Sequence, residues 1–287
     1  MRRSLIAVAG GALLATTAVS TAFAADIYVP EPEVLVEPAP VSYEPVPVAD
    51  NAFGGWYIRG DVIYGAHNEM GDITYRTSDG ENDFSYTDLD ESWGVGGAIG
   101  VNVHKHLRTE FGVDWYKKYD FRGSTTGFCG PTGTTPCESD DRTEVSILTL
   151  MANAYVDLGT YYGFTAYVGG GIGGARVEWE TLFNDDGFEV TPHDGYKEWR
   201  FAWQLMAGAS YCLTEELEAD IGYRYREIEG GRMFAFNTFN GPGYDEGIKS
   251  HEVRAGLRYN FGGANPRCAT YVPPAPPLPP APPPVYK

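Results

Sequence analysis

The sequence is poor in basic residues: 21 Lys and Arg stand against 39 Asp and Glu, a formal charge of −18. No basic face can form to meet phosphates, which excludes a nucleic-acid partner. Beyond residue 24 no run of about 20 apolar residues occurs, so transmembrane helices are excluded. A membrane β-barrel is not, because its lipid face shows only at every second residue. Proline is missing from the interior of every candidate strand. Six prolines lie between Pro30 and Pro47 and ten between Pro266 and Pro284, while Pro131, Pro136, Pro192 and Pro242 fall in stretches that read as loops. A hydrogen-bonded ladder needs that gap. No glycine-rich phosphate loop is present either, since Gly169–Gly174 falls inside a strand pattern.

What is present begins with an export signal. Arg2 and Arg3 form a positive start, Leu5 to Val19 an apolar stretch, and Ala22-Phe23-Ala24 a cleavage site. Residues 25–52 and 263–287 then read as extended, proline-rich flanks without a packed core. Residues 53–262 remain as the folded domain.

Within that domain, period-2 alternation recurs eight times. The strands read are Gly55–Gly65, Trp93–Val103, Leu107–Lys117, Glu144–Leu158, Phe164–Trp179, Trp199–Leu213, Leu217–Ile228 and Ile248–Phe261. Trp56, Ile58, Val62 and Tyr64 share a face of the first, with Tyr57, Arg59 and Asp61 on the other. The fifth is so glycine-rich that its phase stays open, though Arg176 and Glu178 set Ala175, Val177 and Trp179 on the opposite side. Connections alternate between short turns and long loops (66–92, 118–143, 180–198 and 229–247). This alternation is that of an outer-membrane barrel, with short periplasmic turns and long extracellular loops. A soluble sandwich has no reason to alternate so regularly.

One face of the alternation carries aliphatic and aromatic residues, the other charges such as Arg108/Glu110 and Arg224/Asp220. A soluble lipocalin-like barrel would turn the apolar face inward. Against that reading, Trp56, Tyr64, Trp93, Trp115, Tyr211, Tyr225, Tyr259 and Phe261 gather at strand ends, as two interfacial girdles would. The fold class expected is therefore all-β, an eight-stranded antiparallel up-and-down transmembrane barrel with disordered proline-rich flanks. Its lumen holds Arg59, Asp61, Arg108, Glu110, Asp114, Asp157, Glu218, Asp220, Arg224, Glu252, Arg254 and Arg258. The small inward set Gly94, Gly96, Ala98 and Gly100 leaves room for long neighbours. Such a lumen is either a salt-bridged plug or a narrow conduit.

The last strand ends Arg254-Ala255-Gly256-Leu257-Arg258-Tyr259-Asn260-Phe261, which looks like the β-signal read by the barrel-assembly machinery, carried by Gly256, Tyr259 and Phe261. Together with Leu217–Tyr225, the chain resembles the small eight-stranded outer-membrane proteins of the opacity-porin and surface-antigen type over residues 53–262. In that family the signal usually ends the chain, whereas here 26 residues follow Phe261. The resemblance is specific as to architecture and says little about activity, since that family includes structural proteins, adhesins, porins and surface antigens. The reading adopted is a non-enzymatic, surface-exposed outer-membrane envelope protein with both termini periplasmic. A small cation-preferring porin is the alternative, with a secreted ligand-binding barrel or a lipid hydrolase behind it.

Few residues suggest chemistry. Ser250-His251-Glu252 lies on a strand, where adjacent side chains face opposite ways, so no hydrolase triad forms. His104 and His106 sit in a turn without a nearby Cys or acid, too little for a metal. No cofactor and no metal is expected. The long loops carry most of the acid; the first has eight acids against Arg76 alone, a solvated surface or a carboxylate cluster bridging through divalent cations to lipopolysaccharide. Expected partners are outer-membrane lipid and lipopolysaccharide, the assembly machinery, and the cell wall through the proline-rich tails. Four cysteines allow three pairings. Cys129 and Cys137 flank a Gly/Pro-rich turn in one loop, and Cys212 and Cys268 belong to the short-turn rim, so 129–137 and 212–268 are expected. Crossed pairs would have to span a membrane band of about 25 Å.

Overall fold

In the computed structural model the described residues are 55–77, 80–235, 242–261, 265, 267 and 268. The signal segment, the proline-rich N-terminal flank and most of the C-terminal tail lie outside them. Eight strands close a ring in which every pairing is antiparallel: β1 (Trp56–Met70), β5 (Ser92–His104), β6 (Leu107–Tyr116), β10 (Asp140–Tyr161), β11 (Phe164–Trp179), β14 (Lys197–Cys212), β15 (Leu217–Phe234) and β16 (Gly243–Asn260). The ring shuts where β16 pairs with β1, from Tyr57 opposite Asn260 to Met70 opposite Ile248. Closure leaves no sheet edge for hydrocarbon to meet. At one end the strands join through short turns. Tyr162 and Gly163, with φ of 49° and 82°, form the turn between β10 and β11, a two-residue connection whose positive φ values match strand twist.

At the other end the four stretches expected as loops are largely strands. They comprise β2 (Ile73–Thr77), β3 (Gly80–Asp83), β4 (Tyr86–Leu89), β7 (Tyr119–Ser124), β8 (Thr126–Cys129), β9 (Thr135–Glu138), β12 (Leu182–Asp185) and β13 (Val190–His193). The outer part of β10 leaves β6 and β11 and pairs instead with β7 and β12, while β2 extends the wall from β16. Pro136 and Pro192 therefore lie in strands after all, β9 and β13, each of which pairs with a single neighbour. Edge positions tolerate a missing donor.

Side-chain polarity inverts along the wall. From Leu148 to Leu158, β10 turns Leu148, Leu150, Ala152, Ala154, Val156 and Leu158 outward and Thr149, Asn153, Tyr155 and Asp157 inward. Beyond Leu148 the outward positions become Ser146, Glu144 and Arg142, and the inward ones Ile147 and Val145. On β11 the same switch sets Arg176 and Glu178 outside and Ala175, Val177 and Trp179 inside, which resolves the phase of that strand. The inversion marks where the wall leaves a bilayer and begins to fold like a soluble barrel. The inward apolar residues then gather into one core of the long-loop half, with Ile63, Ile73, Tyr119, Phe121, Val145, Trp179, Leu182, Phe234 and Ile248 among its members.

Candidate functional site

The interior below that core is charged. Glycines on β5 and β16 make space for it: a Cβ on Gly100 would overlap the Tyr57 ring, one on Gly96 the Asp114 carboxylate, and one on Gly256 both Asp61 and the Gly60 carbonyl. Gly256 thus has a packing reason to be glycine besides its place in the assembly sequence. Tyr259 and Phe261 point outward, their rings 5.1 Å apart, and Tyr259 Oη donates to Glu216 Oε2 at 2.9 Å.

The residues expected in the lumen are all buried, but the partners differ from those suggested by the sequence. Arg108 does not pair with Glu110; its Nε donates to Asp157 Oδ1 at 3.0 Å. Its guanidinium lies in the corner formed by the perpendicular rings of Tyr155 and Tyr167, 4.2 and 4.6 Å from their centroids. Glu110 instead receives Arg59 at 3.2 Å and the hydroxyls of Tyr57 and Tyr155 at 3.2 and 3.1 Å. Arg59 also meets Asp61 on its own strand at 2.8 Å. Nor does Arg224 pair with Asp220. It reaches Glu252 at 2.7 Å through Nε and Asp114 at 2.7 Å through Nη1. Asp220 takes Arg258 at 2.6 Å and the Tyr167 hydroxyl at 2.7 Å. Arg258 also donates to Glu218 at 3.1 Å, and Arg254 to Tyr155 Oη at 3.2 Å. Register decides these partners: Arg224 stands directly opposite Glu252 and Arg258 opposite Glu218, while Arg108, opposite Tyr155, reaches Asp157 on the diagonal.

Several participants stand outside the charged set assigned to the lumen from the sequence. Arg226 completes a triad, donating to Glu252 Oε1 at 2.6 Å and to Tyr116 Oη at 2.7 Å. Tyr57, Tyr116, Tyr155 and Tyr167 are buried linkers that carry hydrogen bonds between charges. Alternation sets Tyr57 and Tyr155 on inward faces in the sequence, and the same rule would have placed Tyr116 and Tyr167 there. Higher up, Arg200 pairs with Asp245 at 2.7 Å. There burial pushes the Asp245 carboxyl above the usual range, against the pull of Arg200. Burial likewise raises Asp141, although Ser139 and Asn184 donate to it, and lowers His193. On the β12–β13 turn the backbone N–H groups of Glu189 and Phe188 hold Asp186 below its ordinary value.

The cysteines fall at the two ends. Cys129, which ends β8, and Cys137, within β9, are bridged with Cα atoms 5.8 Å apart; Cys212 and Cys268 are bridged at 5.4 Å on the short-turn rim. The remaining candidates are dispersed. Ser250 and Glu252 face inward while His251 faces out to the Tyr223 hydroxyl at 2.6 Å. His106 Nδ1 lies 2.9 Å from the Asp157 carbonyl, and among the described residues no group of three His, Cys, Asp or Glu is placed to hold a metal.

Comparison with known proteins agrees with this architecture. A family model described as the outer membrane protein beta-barrel domain matches residues 39–261. An uncharacterised protein of Brucella abortus (strain 2308) is 34% identical over 286 residues, covering 85% of this chain and 94% of its own. The outer membrane protein PagN of Salmonella typhimurium is 28% identical over 132 residues, 44% of this chain and 54% of PagN. Among solved structures, the outer membrane protein OprG from Pseudomonas aeruginosa is similar with a TM-score of 0.45 at 15% identity, covering 74% of this chain and 97% of OprG. With a closed eight-stranded ring, a lipid-facing band and a family match over most of its length, this chain is an outer-membrane protein and belongs to the outer membrane protein beta-barrel domain family.

Proposed function

We propose that the protein is a non-enzymatic, surface-exposed envelope barrel whose lumen is a structural plug. The observation that carries this reading is the filling of the interior. Arg108, Arg224, Arg226, Arg254, Arg258, Tyr57, Tyr116, Tyr155 and Tyr167 are among the largest fully buried side chains, and an apolar core closes the interior toward the long-loop end. A barrel of eight strands has room for side chains and little else. In this reading the short turns and both termini are periplasmic and the extra-membrane sheet faces outward. Phe261 and Tyr259 serve the assembly machinery, the acidic outer surface meets lipopolysaccharide through divalent cations, and the proline-rich tails reach toward the cell wall.

Planar-bilayer recording of the refolded protein tests the plug directly. The expected record has no steady unitary steps; steady cation-selective steps would overturn the reading in favour of a small porin.

A further inference from the structure

The segment after the last ring strand turns back into the short-turn mouth of the barrel. Asn265 is buried there, donating from Nδ2 to Glu218 Oε1 at 2.5 Å and from its backbone N–H to the Glu215 carbonyl at 2.8 Å. Arg267 forms an ion pair with Asp157, donates to Asn102 Oδ1 at 2.7 Å, and lies 3.9 Å from Glu218. Only 12% of its side chain remains exposed. Cys268 follows, bonded to Cys212 on the rim. These residues were expected in an uncollapsed tail. They are part of the barrel's polar interior instead.

Charge explains why a cation belongs there. Below the apolar core, six buried arginines (59, 108, 224, 226, 254 and 258) face seven buried carboxylates (61, 110, 114, 157, 218, 220 and 252). Part of the excess lies at the mouth. Arg108 engages only Asp157 Oδ1, its guanidinium lying in the corner of two perpendicular tyrosine rings. Arg258 engages Glu218 through Oε2 and divides its charge with Asp220. Asp157 Oδ2 and Glu218 Oε1, at the mouth, are thus left without a cation by the barrel's own strands, as Asp61 Oδ1 is deeper in. A buried carboxylate left in that state is costly, and a planar guanidinium matches the paired acceptors.

We propose that Asp157, Glu218 and Asn102 form a guanidinium-binding site at the barrel mouth, that Arg267 is its intramolecular ligand, and that the Cys212–Cys268 disulfide is a second tether that holds the site filled. The main chain ties Arg267 to Phe261 through five residues and the disulfide fixes it from the other side, so its effective concentration is in at least the millimolar range, which an external cation must exceed. A dithiol reductant removes the second tether. One thiolate attacks a sulfur of the bridge, the second closes the reductant's own disulfide, and Cys212 and Cys268 leave as thiols with two electrons and two protons gained. The proposal concerns the mouth itself and holds whichever side of the membrane it faces.

The test is chemical rescue in detergent, using ethylguanidinium as probe at low millimolar concentration, far below denaturing levels. Arg267→Ala is expected to unfold several degrees below the parent protein, and ethylguanidinium to restore part of that loss while leaving the parent unchanged. Calorimetry should show ethylguanidinium binding at least ten-fold tighter to Arg267→Ala than to the parent. The paired variant Cys212→Ser/Cys268→Ser keeps Arg267 on its main-chain tether alone and should bind the probe more tightly than the parent, though less tightly than Arg267→Ala. Equal probe binding by all three proteins, or an Arg267→Ala chain as stable as the parent, overturns the proposal. If Arg267→Ala does not fold, the serine pair decides: no binding to it overturns the tether.

Discussion

Both carboxylate oxygens of Glu252 are engaged. Oε1 accepts from Arg226 at 2.6 Å, while Oε2 accepts from Arg224 at 2.7 Å and from the Tyr116 hydroxyl at 3.1 Å. The group is fully buried. Removing it leaves Arg226 without a carboxylate and Arg224 with Asp114 alone; breaking a buried pair typically costs about 3–5 kcal/mol, whereas an exposed charge is worth about 0–1 kcal/mol. Glu252→Ala should therefore lower the urea midpoint of the refolded barrel severely. Glu227→Ala, on the outward face of the neighbouring strand, should leave it nearly unchanged. Equal midpoints for the two variants would mean the triad adds nothing to stability. That Glu252, Arg224 and Arg254 face the lumen was legible, since alternation alone sets each strand's inward residues. That Glu252 meets Arg226, and Arg108 meets Asp157, was not. Those choices follow from the stagger between strands brought together by ring closure, and single-strand periodicity carries no information about it.

At the scale of elements, the membrane-embedded strands were legible because hydrocarbon demands strict alternation. The sheet beyond the membrane was not. There Asp, Thr and Ser occur on both faces, as at Asp141 and Thr143 on the inward side of β10, so the pattern resembles a solvated loop. Asp141 gives that sheet a pH dependence of readable sign. Its folded pKa is raised above 3.8 by burial, so its stabilising contribution is complete below that value and is lost as pH rises through the folded pKa. Asp141→Asn should accordingly make the long-loop sheet more resistant to protease than the parent at pH 7, with the difference closing as pH falls toward 4. A difference that persists or grows on acidification would show that the carboxylate is not held up by burial.

At the scale of the molecule, the interior is built in two tiers that mirror the two environments outside. Within the bilayer the lipid removes the hydrophobic drive for inward burial, so the barrel turns its apolar residues out and satisfies charge within. Above it, water restores that drive and Val145, Val177 and Trp179 turn in. The two tiers distinguish the ends: the outward face of β10 and β11 at the long-loop end carries Arg142, Glu144, Arg176 and Glu178. The short-turn end exposes Tyr161, Tyr162 and Phe164 at a bilayer rim. An epitope inserted at Gly133, in the turn of the Cys129–Cys137 hairpin, should be stained by antibody on intact cells. The same epitope inserted between Tyr162 and Gly163 should be stained only after the outer membrane is permeabilised. A reversed pattern would place the proline-rich tails outside the cell and the acidic sheet within, and the surface role proposed for that sheet would fall with it.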